Sequence, residues 1–382
     1  MPFSPDELTR YSRHLLLAGF GPEAQEKLKR SSVLVIGAGG LGCPALLYLA
    51  AAGVGRIVIV DDDRVDVSNL QRQILYTSDD AGQPKAEAAA RRLRVLNPLI
   101  TIEPRAERFT RANALALVRG VDLVLDGSDN FSTRYLVNDA CVLADRPLVF
   151  GAIQGFEGQL SVFNFRGGPT YRCLFPEPPE AGTVPNCAEA GVLGVLPGLI
   201  GTAQATEAIK LLAGIGEPLA GKLLLFDALT MTTRTLALAV DPRSRDIRDL
   251  PPEGYGETCA VPSTDAPASG ALDLASTDEI DVADLQAARE RGERLQVLDV
   301  REEWERGFGT IEPDVHIPLG MLPQAGAPGL DPAQPTVVYC AVGARSLRVT
   351  QFLRANGFTQ VTNVAGGIDA WAEQIDPGLA RY

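Results

Sequence analysis

Two groups of residues in this 382-residue chain are spaced for chemistry. The first begins at Gly37-Ala38-Gly39-Gly40-Leu41-Gly42, a G-x-G-x-x-G turn between the β-branched run Val33–Ile36 and an Ala/Leu-rich segment reaching Ala52. Glycines there let backbone N–H groups approach phosphates, and a following helix N-terminus favours their charge. Asp61 closes the next apolar run and is placed to accept hydrogen bonds from ribose hydroxyls. Taken alone, these residues specify a nucleotide site and would suit a nicotinamide dehydrogenase. The segments that follow narrow the choice: Ser68-Asn69-Leu70-Gln71-Arg72-Gln73, then Gly82-Gln83-Pro84-Lys85, then Asp126-Gly127-Ser128-Asp129-Asn130. Hydride transfer has no need of such an Arg/Lys/Asp set, whereas breaking a phosphoanhydride does. Arg72 and Lys85 can stabilise charge on a departing pyrophosphate, and Asp129 can hold Mg²⁺. The second group is Cys340-Ala341-Val342-Gly343-Ala344-Arg345-Ser346, between the run T-V-V-Y and a helical pattern. A loop of this kind aims N–H groups and the helix dipole at one sulfur, favouring a thiolate and an anion beside it. Arg345 adds positive charge.

The elements that must position these groups follow from periodicity. Strand-like runs at 33–36, 57–60, near Ile100 and at 121–126 alternate with helical patterns at Pro84–Leu96 and 111–119, which predicts a parallel α/β sheet. After Gly151 the rhythm changes. Strands at 159–165, 222–227 and 231–240 around a helix at 196–213 predict antiparallel pairs extending that sheet. Residues 246–277 are dominated by Pro, Gly, Ser and acids and read as a linker between domains at 1–245 and 278–382. The second domain shows strands at 295–300, 336–339 and 361–364 with a helix at 346–356.

Hydrophobic residues make up 46% and charged residues 22%, enough for a core and ordinary for a soluble protein. The formal net charge of −13, with no basic stripe, argues against a nucleic-acid partner. The first residues carry Asp6 and Glu7 where a signal peptide needs basic residues, and the apolar stretch Gly191–Ala205 is broken by Pro197 and too short to span a bilayer. The expectation is a cytoplasmic protein with no membrane partner. The six cysteines form no C-x-x-C pair, so each is either buried or used for chemistry.

The ordered set G-A-G-G-L-G, Asp61, S-N-L-Q-R-Q, Lys85 and D-G-S-D-N, with R-Y-S-R-H near the start and A-G-V-L-G-V-L-P-G later, resembles the ubiquitin-activating-like adenylyltransferases of the MoeB/ThiF type over about residues 5–240. The resemblance implies ATP-dependent adenylation of the terminal glycine of a small ubiquitin-like sulfur-carrier protein ending in Gly-Gly. It also implies a homodimer in which Arg13 reaches the partner's ATP site. Cys187, in V-P-N-C-A-E-A-G, matches the family cysteine that takes the activated acyl group or joins a disulfide-type intermediate. Many relatives bind a structural zinc through two C-x-x-C pairs. Here the first pair reads Thr170-Tyr171-Arg172-Cys173, and the segment after residue 240, D-P-R-S-R-D-I-R-D-L, has no cysteine, so no zinc is expected.

The Cys340 loop resembles the active-site loop of rhodanese sulfurtransferases, and Asp299-Val300-Arg301, His316-Ile317-Pro318 and Gly366-Gly367 with Trp371 fit the same family over about 278–382. Tyrosine phosphatases and arsenate reductases use related Cys-to-Arg loops. The six residues from Cys340 to Arg345 suit sulfur rather than a bulkier phosphate. The resemblance implies a persulfide on Cys340, fed by a cysteine desulfurase or another sulfur donor. The expected fold class is α/β: a Rossmann-like doubly wound sheet with an antiparallel extension, plus a small α/β rhodanese-like domain. The expected function is carrier adenylation followed by sulfur transfer to a thiocarboxylate. Rival readings are an NAD-dependent oxidoreductase with a redox domain and a non-catalytic scaffold for a ubiquitin-like protein.

Overall fold

The computed structural model describes residues 3–178, 191–251, 255, 278–322 and 327–380. The chain folds as two compact units, Met1–Thr258 and Cys259–Tyr382. The first holds eight strands: β1 (Ser32–Ile36), β2 (Arg56–Val60), β3 (Thr101–Arg105), β4 (Leu123–Asp126), β5 (Leu148–Gln154), β6 (Glu157–Phe163), β7 (Lys222–Asp227) and β8 (Thr232–Ala237). They lie in the order β3-β2-β1-β4-β5-β6-β7-β8. β1 to β5 pair in parallel, and β6, β7 and β8 continue antiparallel, as the change of rhythm after Gly151 anticipates.

Strand alternation feeds two cores, one on each face of the sheet. Val33, Val35, Ile57, Ile59, Leu123 and Leu125 point into one, while Leu34, Ile36, Val58, Val60 and Val124 point into the other. The helix Gly42–Ala52 is buried on nearly every face because the 19-residue helix Val195–Ala213 lies across it. Gly201 permits that approach: a Cβ there would stand 2.3 Å from the Leu41 carbonyl oxygen. Cys43 and Cys141 are wholly buried in these cores, and burial pushes the Cys43 thiol up to about 12. They are packing residues.

The second unit is an all-parallel sheet of β9 (Glu279–Ile280), β10 (Gln296–Asp299), β11 (Val315–His316), β12 (Thr336–Tyr339) and β13 (Val361–Val364), in the order β11-β10-β12-β13-β9. It too carries a core on each face. Among the described residues, no helix is long and apolar enough to cross a membrane.

The first unit reaches past residue 245, where composition placed the start of a linker. Leu250 is 1% exposed within the second core, and its carbonyl accepts a bond from Arg111 Nε at 2.8 Å. Tyr255 stacks near Tyr135 and donates its hydroxyl to Asp139. One leucine and one tyrosine anchor a Pro/Gly-rich stretch whose average composition conceals them. Residues 256–277 lie outside the described residues. A chain ending at residue 258 should therefore be more stable than one ending at 245. Loss of a buried leucine costs about 2–5 kcal/mol, visible as a lower denaturant midpoint. Equal midpoints would show that the segment contributes nothing.

Candidate active sites

The strand order reverses between β1 and β4, which opens a crevice at their carboxyl ends. Both loops leaving that crevice are glycine-led, and they touch backbone to backbone. Gly37 has φ +85°, and a Cβ on it would stand 2.8 Å from the Gly127 carbonyl oxygen. A Cβ on Gly42 would lie 1.9 Å from the Gly37 carbonyl oxygen, so the turn closes only without side chains at these positions.

The other predicted residues assemble around this contact. Asp61 accepts from Ala38 N at 2.7 Å and Asp63 N at 2.9 Å, which fixes the glycine turn to the end of β2. Burial pushes its carboxyl above the ordinary range, against the pull of Lys85 and those two N–H groups. The Ser68–Gln73 segment folds back over the turn. Its first residues are held by Asp66, which accepts from Ser68 N at 2.8 Å, and Leu70 packs against the core. A Cβ on Gly40 would meet Arg72 Cδ at 3.7 Å, and one on Gly39 would meet Gln73 Nε2 at 3.6 Å. Gln71 presses on Gly194, where a Cβ would stand 2.2 Å from its Oε1. Arg72 Nη2 donates to the Asn69 side chain at 2.8 Å. Gln73 is 4% exposed, and its Oε1 has no hydrogen-bond partner among the described residues.

Lys85 opens the helix Lys85–Leu96, is 5% exposed, and reaches Asp63 at 2.8 Å. The carboxylates of Asp61, Asp62 and Asp63 lie within 4.8 Å of one another. Across the crevice Asp129 is exposed, and Asn130 caps the helix Phe131–Ala144 by accepting from Thr133 N at 2.8 Å. Asp126 is the residue of that loop to which the sequence assigns no role. It is 1% exposed, accepts from Ser128 N at 2.9 Å and Ser128 Oγ at 2.6 Å, and keeps Oδ2 unpartnered among the described residues. Burial raises its pKa, and Arg134 opposes the shift. Arg134 and Gln204 brace this loop through the carbonyls of Ser128 and Asp126, at 3.3 and 2.7 Å. Only the folded chain brings Gln204 there, so no local sequence signal marks it.

Arg13 stands exposed on the short helix Ser12–Leu15, with no hydrogen bond or ion pair among the described residues. Cys187 lies outside the described residues. Cys173, by contrast, meets the turn after β8. Its sulfur receives Thr170 N at 3.3 Å and Asp241 N at 3.3 Å and lies 3.1 Å from Ser244 Oγ. Although burial opposes it, hydrogen bonding by Ser244, Asp241 and Thr170 holds this thiol below its ordinary pKa. Thr170, Cys173, Asp241 and Ser244 thus occupy two i, i+3 pairs, as two C-x-x-C pairs would. One thiol, two hydroxyls and a carboxylate already bonded to Arg243 at 2.8 Å do not fit tetrahedral zinc.

In the second unit Cys340 follows β12 and is fully buried. Gly343 N donates to its sulfur at 3.1 Å and Ser346 Oγ at 3.3 Å. Gly366-Gly367 has a steric reason: a Cβ on Gly367 would lie 2.3 Å from the Cys340 carbonyl oxygen. Ile368 N and Asp369 N instead bond the carbonyls of Cys340 and Ala341 at 2.9 and 3.0 Å, seating the loop. Trp371 lies in the core beneath. Asp299 and Arg301 form a fully buried pair at 2.8 Å, joined by the Tyr339 hydroxyl at 2.8 Å, and His316 Nε2 lies 2.8 Å from the Arg301 carbonyl. Arg345 is not an open cation beside the sulfur. It makes a bidentate pair with Glu305, at 2.8 and 2.5 Å, a partner the sequence reading missed.

Comparison with known proteins matches one family in each unit. The ThiF family matches residues 11–246, and the rhodanese-like domain matches residues 281–374. The chain is 44% identical over 384 residues to the probable adenylyltransferase/sulfurtransferase MoeZ of Mycobacterium tuberculosis, covering 99% of this chain and 96% of that protein. It is 42% identical over 409 residues to the adenylyltransferase and sulfurtransferase MOCS3 of Sus scrofa, covering 99% and 88%. The sulfur carrier protein adenylyltransferase of Thermus thermophilus is 56% identical over 256 residues, covering 66% and 94%. Among solved structures, Escherichia coli MccB with ATP shares the fold, with a TM-score of 0.55 at 24% identity over 61% of this chain and 72% of that one. By family match and by full-length identity, the chain belongs to the ThiF family and carries a rhodanese-like domain in its C-terminal unit.

Proposed function

We propose that the first unit adenylates the C-terminal glycine of a small ubiquitin-like sulfur-carrier protein and that Cys340 supplies the sulfur for its thiocarboxylate. The observation that carries this reading is the position of Arg72 and Gln73 beside Gly40 and Gly39, where a Cβ would meet them at 3.7 and 3.6 Å. A phosphate chain laid on those glycines meets a guanidinium, with Lys85 at the head of the next helix. That is an arrangement for a polyanion whose anhydride breaks, not for a nicotinamide ring. The names of the Mycobacterium and Thermus relatives agree with it.

The carrier's carboxylate attacks the α-phosphate of ATP, the anhydride breaks, and pyrophosphate leaves. Arg72 and Lys85 hold the charge that collects on it. Asp129, exposed at the crevice, suits a hard cation, and Mg²⁺ there would neutralise phosphate charge. Buried Asp126, Arg134 and Gln204 position this loop rather than touch substrate. The resulting mixed anhydride is electrophilic, with AMP as leaving group. A Cys340 persulfide attacks its carbonyl and AMP departs. A second thiolate, the role we give Cys187, attacks the Cys340 sulfur, releases the thiocarboxylate and leaves a disulfide for an external thiol to reduce. The proposal includes a homodimer in which Arg13 completes the partner's site, a cysteine desulfurase as sulfur source, and action in the cytoplasm.

Carrier-dependent ATP–pyrophosphate exchange should require Mg²⁺ and should fall about 10²–10³-fold in Arg72→Ala, Lys85→Ala and Asp129→Ala, the usual cost of one lost electrostatic group. Near-normal exchange in all three would refute the assignment.

The purified protein should contain no stoichiometric zinc, since the Thr170, Cys173, Asp241 and Ser244 set fails as a tetrahedral site. Elemental analysis giving one zinc per chain would contradict this.

Cys340→Ala should keep carrier-dependent pyrophosphate exchange and lose persulfide formation and thiocarboxylate production. Thiocarboxylate made by this variant at the wild-type rate, with a desulfurase as sole donor, would show that Cys340 does not carry the sulfur.

A further inference from the structure

The three parallel strands β11, β10 and β12 end at one edge of the second sheet, with Asp299 registered against both His316 and Tyr339, next to Cys340. The cations gathered there are answered by carboxylates. Arg301 pairs with Asp299 at 2.8 Å, Arg306 with Asp314 at 2.7 Å, and Arg345 with Glu305 at 2.5 Å. The last pair sits inside the sulfur loop itself. Glu305 is 3% exposed and cannot swing to solvent without breaking its own turn. Its Oε2 accepts from Glu302 N at 2.6 Å, and its carbonyl accepts from Arg301 Nη1 at 3.3 Å. A buried carboxylate bonded to a guanidinium by two hydrogen bonds offsets much of its charge. The rest of the loop offers Ala341, Val342 and Ala344, and the Glu305 turn adds exposed Glu302 and Glu303.

We propose that Glu305 is a specificity-determining residue that sets the Cys340 loop against dianionic sulfur donors such as thiosulfate and in favour of a sulfane carried on a thiol. The proposal rests on the sulfur-transfer reading above. In either case the Cys340 thiolate attacks the outer sulfane sulfur, the donor S–S bond breaks, and a Cys340 persulfide forms. The leaving group is sulfite from thiosulfate, or a thiolate from a persulfide R–S–SH. With thiosulfate, a thiolate and a dianion must meet, and an open guanidinium would offset that repulsion. Glu305 withdraws it. With a persulfide only one sulfur anion need be accommodated, and Gly343 N and Ser346 Oγ already point at that sulfur.

The test is single-turnover persulfidation of the full chain, read by mass spectrometry as gain of one sulfur, with thiosulfate and with cysteine persulfide. Glu305→Gln keeps the shape and an oxygen acceptor for Glu302 N. It should raise the thiosulfate rate about tenfold or more relative to the cysteine persulfide rate, because like-charge juxtaposition is what it relieves. The double variant Glu305→Gln with Arg345→Met should lose that gain. An unchanged ratio of the two rates, or equal slowing of both, would overturn the proposal and leave sulfur transfer standing. No persulfide on wild-type Cys340 from either donor would overturn the sulfur-transfer reading itself. Salt dependence gives a readout on the unaltered protein. Arg348, three residues beyond Arg345, makes no ion pair among the described residues. If it or Arg345 gave the loop an open positive field, the thiosulfate rate would fall steeply with ionic strength. A flat or rising rate is expected, and a steep fall overturns the proposal.

Discussion

The first unit depends on the contact between the Gly37 turn and the Gly127 carbonyl. Two loops that leave adjacent parallel strands in the same direction would normally diverge as helices pack on opposite faces of the sheet. Here they touch because neither carries a side chain at the point of approach. The consequences spread outward. The turn is fixed to β2 by Asp61, roofed by Arg72 and Gln73, and backed by the long helix that Gly201 lets in. A Cβ at either glycine would part the loops and remove the floor on which the charged residues converge. The site is thus a property of backbone proximity first and of side chains second.

Much of this arrangement was legible in the sequence. β-branched runs closed by glycine, and helical patterns of ordinary length between them, state the parallel sheet directly. The motif order then states which loops face the crevice, since strand ends carry them there. The Cys340 loop was equally legible, because a strand, a glycine and a helix start suffice to point donors at one sulfur. The residues that escaped are those whose role depends on long-range contact. Gln204 lies in an apolar helix and reaches Asp126 only after folding. Glu305 sits in an acidic turn, E-E-W-E, that composition reads as solvated surface. It is nevertheless buried, because Arg345 comes from forty residues away to meet it. Leu250 escaped for a related reason, being one apolar residue in a stretch whose average is polar.

Around Cys173 two distant chain segments meet at the spacing of a paired-cysteine site with other side chains in place. The pairs Thr170/Cys173 and Asp241/Ser244 each have i, i+3 spacing, and the backbone N–H groups of Thr170 and Asp241 point at the Cys173 sulfur. Hydrogen bonds link them, each worth on the order of 1 kcal/mol. The remainder of the attachment comes from packing nearby. Arg172 pairs with buried Asp139 at 2.8 Å and lies over the rings of Tyr135 and Tyr255, so the helix bearing Cys173 is tied to the core from its other side as well.

The two units treat positive charge in opposite ways, and the difference follows from what each must hold. At the glycine turn Lys85 is buried but its carboxylate partner Asp63 is 69% exposed, so in the proposed reaction water would take over Asp63 as a phosphate meets Lys85. The Arg72 guanidinium is steadied by a neutral amide, Asn69, which leaves its charge intact. Both cations remain available to a polyanion. In the second unit Arg301 and Arg345 face carboxylates that are 0% and 3% exposed, and such pairs are costly to separate once desolvated. Their charge is met by carboxylates within that edge, and among the described residues Gly343 N and Ser346 Oγ donate to the sulfur. A site built from neutral donors can steady a single sulfur anion without attracting the nucleotide anions that the first unit is built to collect.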